Sequence, residues 1–311
     1  MLTDPRIEGR IWLRQGRALG FAEYGDPAGL PIFWFHGTPG GRRQIPQAAR
    51  AGSQARGIRL IALERPGTGA STPHLYPSLL GFADDVEEVV DQLGIDRFGL
   101  IGLSGGGPYV LACAHRLADR VFAAAVLGGV APASGADAIA GGLVGSALSF
   151  APVLSAASAP LGILLWTLVR SLEPLSSQIF DAFIRVMPEG DQVVFKRPEI
   201  KAMFIDDLLR ASRRQLRAPM LDAVQLTRSW GFSLREIRVP IRFWHGDADN
   251  LVPLAHAQHM AAMVPGATLR VRPGEGHIGN LAAAEEVLDE LVSLWQTAGG
   301  DAHSKRRGSR S

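Results

Sequence analysis

Ser104, Asp249 and His277 stand in an order that can turn a hydroxyl group into a nucleophile. A serine oxygen attacks a carbonyl carbon only when a base takes its proton. An imidazole is the usual base, and a carboxylate fixes its tautomer and stabilises its charged form. Each of the three residues follows an apolar, strand-like run. Phe98 to Leu103 precedes Ser104, Ile241 to Trp244 precedes His245-Gly246-Asp247-Ala248-Asp249, and Thr268 to Val271 precedes Pro273-Gly274-Glu275-Gly276-His277. Asp247, two residues ahead of Asp249, is the alternative acid. Alone in its glycine-rich loop His277 would read as a capping or surface histidine; with Ser104 and Asp249 in place it reads as the base.

The elements around Ser104 must present its oxygen. Gly102-Leu103-Ser104-Gly105-Gly106 is a G-x-S-x-G pattern between a strand-like run and a helix-like run from Tyr109 to Leu117, the context of a sharp strand-to-helix turn. Such a turn forces the serine backbone into an uncommon conformation and brings strand and helix together. Side chains two residues before and two after would collide, and Gly102 and Gly106 remove that collision. Pro108 fits the first turn of the helix, where N–H groups lack helical partners. A second turn, His36-Gly37-Thr38-Pro39-Gly40, ends the apolar run Ile32 to Phe35. The oxyanion formed on attack needs two N–H donors, and Gly105 and Thr38 are the candidates. The alternative is a plain strand-ending turn with a buried His36.

The wider pattern gives these turns a scaffold. Ile11 to Leu13 and Ala18 to Tyr24 read as early strands around a turn at Gly16, Leu60 to Leu63 and Val121 to Leu127 as buried strands, and Leu254 to Met263 as a helix opened by Pro253. Leu79 to Leu93 carries Phe82, Val86, Val89, Val90 and Leu93 at helical spacing. Continuous apolar strands alternating with helices predict a mostly parallel sheet covered on both faces. Ligands of such sheets bind outside the carboxyl ends of the strands, where all the candidate residues fall.

The rhythm breaks between 131 and 235. From Ala138 to Val169 no residue is charged, a length that could span a bilayer. Gly141, Gly142, Gly145, Pro152, Pro160 and Gly162 interrupt it, and a single crossing would put Ser104 and His277 on opposite sides of a membrane. The stretch therefore reads as a helical cap inserted between core strands. Trp166, Trp230 and Phe232 are candidate pocket-lining residues, with packing of cap on core as the alternative. Peripheral membrane contact through this stretch stays open.

Composition excludes several function classes. At 311 residues and 47% apolar content the chain can bury a large core. Its pI of 9.0 invites a nucleic-acid reading. The formal net charge is only +2, however, and the last eleven residues hold four basic and one acidic side chain. The body is therefore near neutral, no nucleic-acid partner is expected, and 298–311 reads as a disordered basic tail. The single cysteine, Cys113, excludes an intrachain disulfide and reads as a small buried residue. Met1 to Gly20 carries charges throughout, so no secretory signal is read there and the cytoplasm is the expected compartment. His256 and His259 lie three apart on one helix but lack a third ligand with matching spacing, so a solvated face is expected there rather than a metal site. His245 reads as a satisfied core histidine. The glycines around Ser104 lack the lysine of a phosphate-binding loop.

Taken together, His36-Gly37-Thr38-Pro39-Gly40, Glu64-Arg65-Pro66-Gly67-Thr68-Gly69-Ala70-Ser71, Gly102 to Pro108, His245 to Asp249 with Val252-Pro253, and Gly274-Glu275-Gly276-His277 resemble an α/β-hydrolase-fold serine hydrolase of esterase and lipase type. The resemblance covers roughly 18–130 and 237–296. Members often carry Asp where Glu64 stands, at a turn outside the catalytic residues. The family pattern places the acid three residues before Val-Pro, which favours Asp249 over Asp247. The resemblance says almost nothing about the middle, where the break in rhythm gives the expected cap at 131–235 between core segments at 1–130 and 236–297; it implies a triad of Ser104, Asp249 and His277. It implies a carboxylic ester or related acyl bond of a fairly apolar small molecule as substrate, with no cofactor or metal needed. C–C hydrolysis, acyl transfer and lyase chemistry share the fold, and a silent binding protein is a further alternative. A serine at 104 argues against the branches that use aspartate there.

Overall fold

A computed structural model describes residues 2–139, 141, 150, 153, 156–187, 189–213 and 217–299. The expected tail from 300 onward, and much of the uncharged stretch between 140 and 155, lie outside the described residues. Among the described residues eight strands form one sheet in the order β1-β2-β4-β3-β5-β6-β7-β8. They are β1 Ile7–Trp12, β2 Ala18–Gly25, β3 Leu30–Phe35, β4 Ile58–Leu63, β5 Phe98–Leu103, β6 Val121–Leu127, β7 Ile241–Gly246 and β8 Thr268–Arg272. β2 runs antiparallel to β1 and to β4, and every other pairing is parallel.

The central strands β3, β5 and β6 are apolar because both faces are covered, while the edge strands β1 and β8 carry charged residues and are largely exposed. In β3, Phe33 and Phe35 face one core and Ile32 and Trp34 the other, all fully buried. The first core is closed by α2 (Leu80–Gln92), α3 (Gly107–Arg116) and α9 (Leu254–Met263) through Val86, Val110 and Met260. The second is closed by α1 (Gln47–Ala55) and α10 (Ala284–Thr297) through Ala49, Val287 and Leu291. The chain leaves β3 toward α1 on one face and leaves β5 toward α3 on the other. Since β3 and β5 are neighbours, a crevice opens between their carboxyl ends, which is the place such a sheet offers a ligand.

Between β6 and β7 lie α4 (Ser158–Ser171), α5 (Ser176–Arg185), α6 (Glu189–Phe195), α7 (Pro198–Ala211) and α8 (Ala218–Thr227). Val194, Phe195 and Ile200 form a small apolar cluster of their own, joined by Phe180, Phe204 and, from the core, Ile278. Among the described residues no helix is long and apolar enough to cross a membrane.

Candidate active site

Ser104 has φ +50°, the one non-glycine residue with positive φ among the described residues. The glycines two residues to either side stand where a side chain would not fit. A Cβ on Gly102 would lie 2.7 Å from the Gly106 carbonyl oxygen. One on Gly106 would lie 2.7 Å from the His36 carbonyl oxygen and closer still to that of Phe35. The collision expected at the turn is thus real, and part of it is with the neighbouring strand. Pro108 sits in the first turn of α3.

His277 Nε2 lies 2.8 Å from Ser104 Oγ, and its Nδ1 lies 2.7 Å from Asp249 Oδ2. With Nδ1–H donated to the carboxylate, Nε2 is left to accept from the hydroxyl. Asp249 Oδ1 accepts from the N–H groups of Leu251 (2.9 Å) and Val252 (2.8 Å). Burial pushes the Asp249 carboxyl up, but hydrogen bonds from His245 and His277 outweigh it and hold the group below the usual carboxylate range. Asp247 turns elsewhere, its Oδ1 accepting from the Gly274 N–H at 2.7 Å. The structure therefore brings Asp249, not Asp247, to His277. His245 is a buried core histidine but only half satisfied: its Nε2 lies 2.7 Å from the Val252 carbonyl oxygen and 3.3 Å from Asp249 Oδ2, while its Nδ1 has no hydrogen-bond partner among the described residues.

The turn after β3 lies beside this trio. A Cβ on Gly105 would sit 2.5 Å from Thr38 Oγ1 and 3.7 Å from Thr38 N, so the two candidate oxyanion donors are adjacent. Gln44 Oε1 accepts from the Gly37 N–H at 2.6 Å. His36 is buried, as its alternative reading has it. Its Nδ1 is 2.7 Å from the Gly37 carbonyl oxygen, and its Nε2 accepts from the Arg65 N–H at 3.1 Å. Burial, with the Arg65 guanidinium nearby, pushes His36 down to about 3, so it stays neutral.

Three acids missed by sequence reasoning reach this machinery from the inserted helices. Asp191, on α6, accepts from the N–H groups of His277 (3.2 Å), Ile278 (2.7 Å) and Gly279 (3.3 Å). Asp207, on α7, accepts from those of Gly41 (2.8 Å) and Arg43 (2.9 Å). Asp222, on α8, accepts from Thr38 Oγ1 at 2.6 Å, from Tyr109 at 2.9 Å, and from Arg65 through Nη2 at 2.7 Å. Nothing local in the sequence marks them, because single acids on helices read as solvated.

A cavity of about 470 Å³ stands over Ser104 and His277. Its floor includes Gly37 to Gly40, and its walls come from the inserted helices, with Leu172, Phe180, Phe204 and Leu208 among them. Trp166, Trp230 and Phe232 do not line it. Trp230 is buried in the first core 6.0 Å from Phe232, which stacks on His115, and Trp166 donates to the Arg213 carbonyl. Trp230 and Phe232 belong to the core, and Trp166 lies outside the cavity lining. His256 and His259 also depart from expectation. His256 is buried and its Nδ1 accepts from the Ala131 N–H at 3.2 Å, while His259 Nε2 lies 2.9 Å from the Asp137 carbonyl oxygen. They tie down the chain leaving β6 rather than face solvent.

With this geometry in hand, comparison with known proteins assigns the class. The family model of the alpha/beta hydrolase fold matches residues 31–284, and the chain belongs to that family. It is similar to a non-heme haloperoxidase of Rhodococcus erythropolis, 26% identical over 297 residues that cover 90% of this chain and 96% of that one. It is also similar to a proline iminopeptidase of Xanthomonas citri, 29% identical over 118 residues, 35% of this chain. That match takes in only 36% of the iminopeptidase's length. A thermophilic esterase from Thermogutta terrifontis shares the fold with a TM-score of 0.67 at 20% identity, over 94% of this chain and 98% of that one.

Proposed function

We propose that the protein is a serine hydrolase that cleaves a carboxylic ester, or a related acyl bond, of a fairly apolar small molecule. The observation that carries this reading is the continuous relay from Ser104 Oγ through His277 to Asp249, lying at the floor of an apolar cavity. In this reading Ser104 Oγ bonds to the substrate carbonyl carbon while His277 Nε2 takes its proton. Asp249 holds the resulting imidazolium, and the N–H groups of Thr38 and Gly105 receive the negative charge on the carbonyl oxygen. His277 then gives the proton to the departing alcohol, leaving an acyl group on Ser104. Water, deprotonated by His277, repeats the sequence and releases the acid. The cavity walls hold the apolar part of the substrate, in keeping with pockets that orient by a few polar groups and bind by apolar ones. On the same reading 131–235 is the cap, 1–130 and 236–297 the core.

The test is labelling with a fluorophosphonate, which an activated serine accepts and a silent pocket does not. Wild-type protein should label at Ser104 and turn over chromogenic esters. Ser104→Ala should lose both while keeping its melting temperature within a few degrees. A Ser104→Ala protein that keeps a large part of wild-type turnover refutes the assignment.

A further inference from the structure

Asp191, Asp207 and Asp222 are among the most deeply buried acids of the chain, at 1%, 2% and 3% exposure. Each sits on a different inserted helix, and the donors named above all belong to the core. A desolvated carboxylate is costly unless it collects several donors, and a buried N–H is costly without an acceptor. These two needs meet at three points. Asp191 holds three consecutive N–H groups of the turn carrying His277. Asp207 holds two N–H groups of the segment just after the Thr38 turn. Asp222 holds the Thr38 hydroxyl itself, together with Arg65, which also donates to the carbonyl oxygens of His36 and Gly37.

We propose that these three carboxylates are positioning residues, through which the inserted helices set the geometry of the base and of the oxyanion turn. The insertion completes the active site as well as covering it. Ile278 adds an apolar tie next to the Asp191 contacts, since it packs against the cluster of Val194, Phe195 and Ile200. The core supplies Ser104 and Asp249 on its own strand ends. It leaves five N–H groups of the two neighbouring turns, and the Thr38 hydroxyl, to acceptors on the insertion. An asparagine in place of any of the three puts an N–H₂ where an acceptor stood, against a donor, so the turn must move. A displacement of 1 Å at a catalytic group costs about 10²-fold in rate.

This inference rests on the triad reading, and the experiment separates the two. Asp191→Asn, Asp207→Asn and Asp222→Asn are compared with Ser104→Ala and with Asp181→Asn. Asp181, on α5, pairs with Lys201 inside the insertion at 2.6 Å and serves as the control. Rates are normalised to the folded fraction at the assay temperature. Each of the three should lower kcat by tenfold to a hundredfold (about one to two decades) with KM within about twofold, and slow fluorophosphonate labelling in proportion. Asp181→Asn should change neither. Because Asp222 pairs with buried Arg65, its variant is the one prone to misfolding. The decision then rests on Asp191, made both as Asn and as Ser. Folded Asp191 variants with wild-type kcat overturn the inference, however far their melting temperatures fall. Retained turnover in Ser104→Ala overturns the triad reading instead.

Discussion

Replacing Gly105 with alanine tests the oxyanion assignment with a single added methyl group. The new Cβ would stand 2.5 Å from Thr38 Oγ1, whereas ordinary contact begins near 3.4 Å, so about 0.9 Å must be found. The threonine hydroxyl cannot simply swing aside, since it donates to Asp222 at 2.6 Å and accepts from Arg65 at 2.7 Å. The displacement therefore passes to the backbone of Thr38 and Gly105, the two proposed donors. Loss of one oxyanion donor costs about 10²–10³ in kcat, roughly 2.7–4 kcal/mol. Gly105 has no positive φ and lies at a helix start, so alanine suits its backbone. The expected enzyme melts a few degrees below the wild-type temperature, as overpacking of about 1–3 kcal/mol implies, binds substrate with near-normal KM and turns over at least a hundredfold more slowly. Chromogenic ester hydrolysis under saturating substrate reads this directly. Thr38→Ala combined with Gly105→Ala removes both the clash and the hydroxyl that Asp222 holds, so the losses of the two single variants should fail to add, the sign of a direct contact. A Gly105→Ala enzyme with wild-type kcat would mean that the oxyanion is held elsewhere.

Asp249→Asn should lower kcat by about 10⁴ through loss of the orienting carboxylate, while Asp247→Asn should stay within a few-fold; steady-state kinetics that reverse the order make Asp247 the acid. Phe180→Ala should shift the preferred acyl length upward by about 10- to 200-fold in relative kcat/KM, and Trp230→Ala should leave the chain-length profile unchanged. Ser104→Gly should melt about 1 °C above Ser104→Ala, because relief of positive φ (about 1–2 kcal/mol) exceeds the extra chain entropy of glycine; equal or reversed melting temperatures count against strain at the turn. Burial pushes the Asp207 carboxyl up to about 7, so its folded form binds a proton more tightly than the unfolded chain does. Its contribution to stability should accordingly decline as pH rises from about 4 to 7, and a difference in melting temperature between wild type and Asp207→Asn that is flat over that range speaks against it.

Much of the fold was legible because its strands announce themselves. β3 to β7 are short apolar runs, and β6 and α9 begin and end where the sequence places them. The turns at their carboxyl ends hold Ser104, Asp249 and His277 because residues with no apolar role cluster there. α1 stayed hidden because its buried face is Ala49, Arg50 and Ser53, and the Arg50 guanidinium is absorbed by carbonyl oxygens of Thr3, Arg43 and Ile45. No spacing rule marks a buried arginine. The insertion was legible as an interruption but not in detail: its helices carry apolar residues toward one another, the core and the cavity alike, so size alone pointed to Trp166 and Trp230 when Phe180 and Phe204 line the space. Asp191, Asp207 and Asp222 acquire meaning only once helices far apart in sequence come to rest against the core turns.

The close approaches around the turn at Ser104 are mostly main chain: the carbonyl oxygens of Phe35, His36 and Gly106, joined by the Val110 side chain, meet the places where side chains at 102 and 106 would begin. No contact in that set involves the serine hydroxyl. The turn is a socket, and the side chain plugged into it is interchangeable. A cysteine or an aspartate at 104 would be held out at the same angle toward His277. The chemistry of the site can therefore be rewritten at one position, with the scaffold left as it stands.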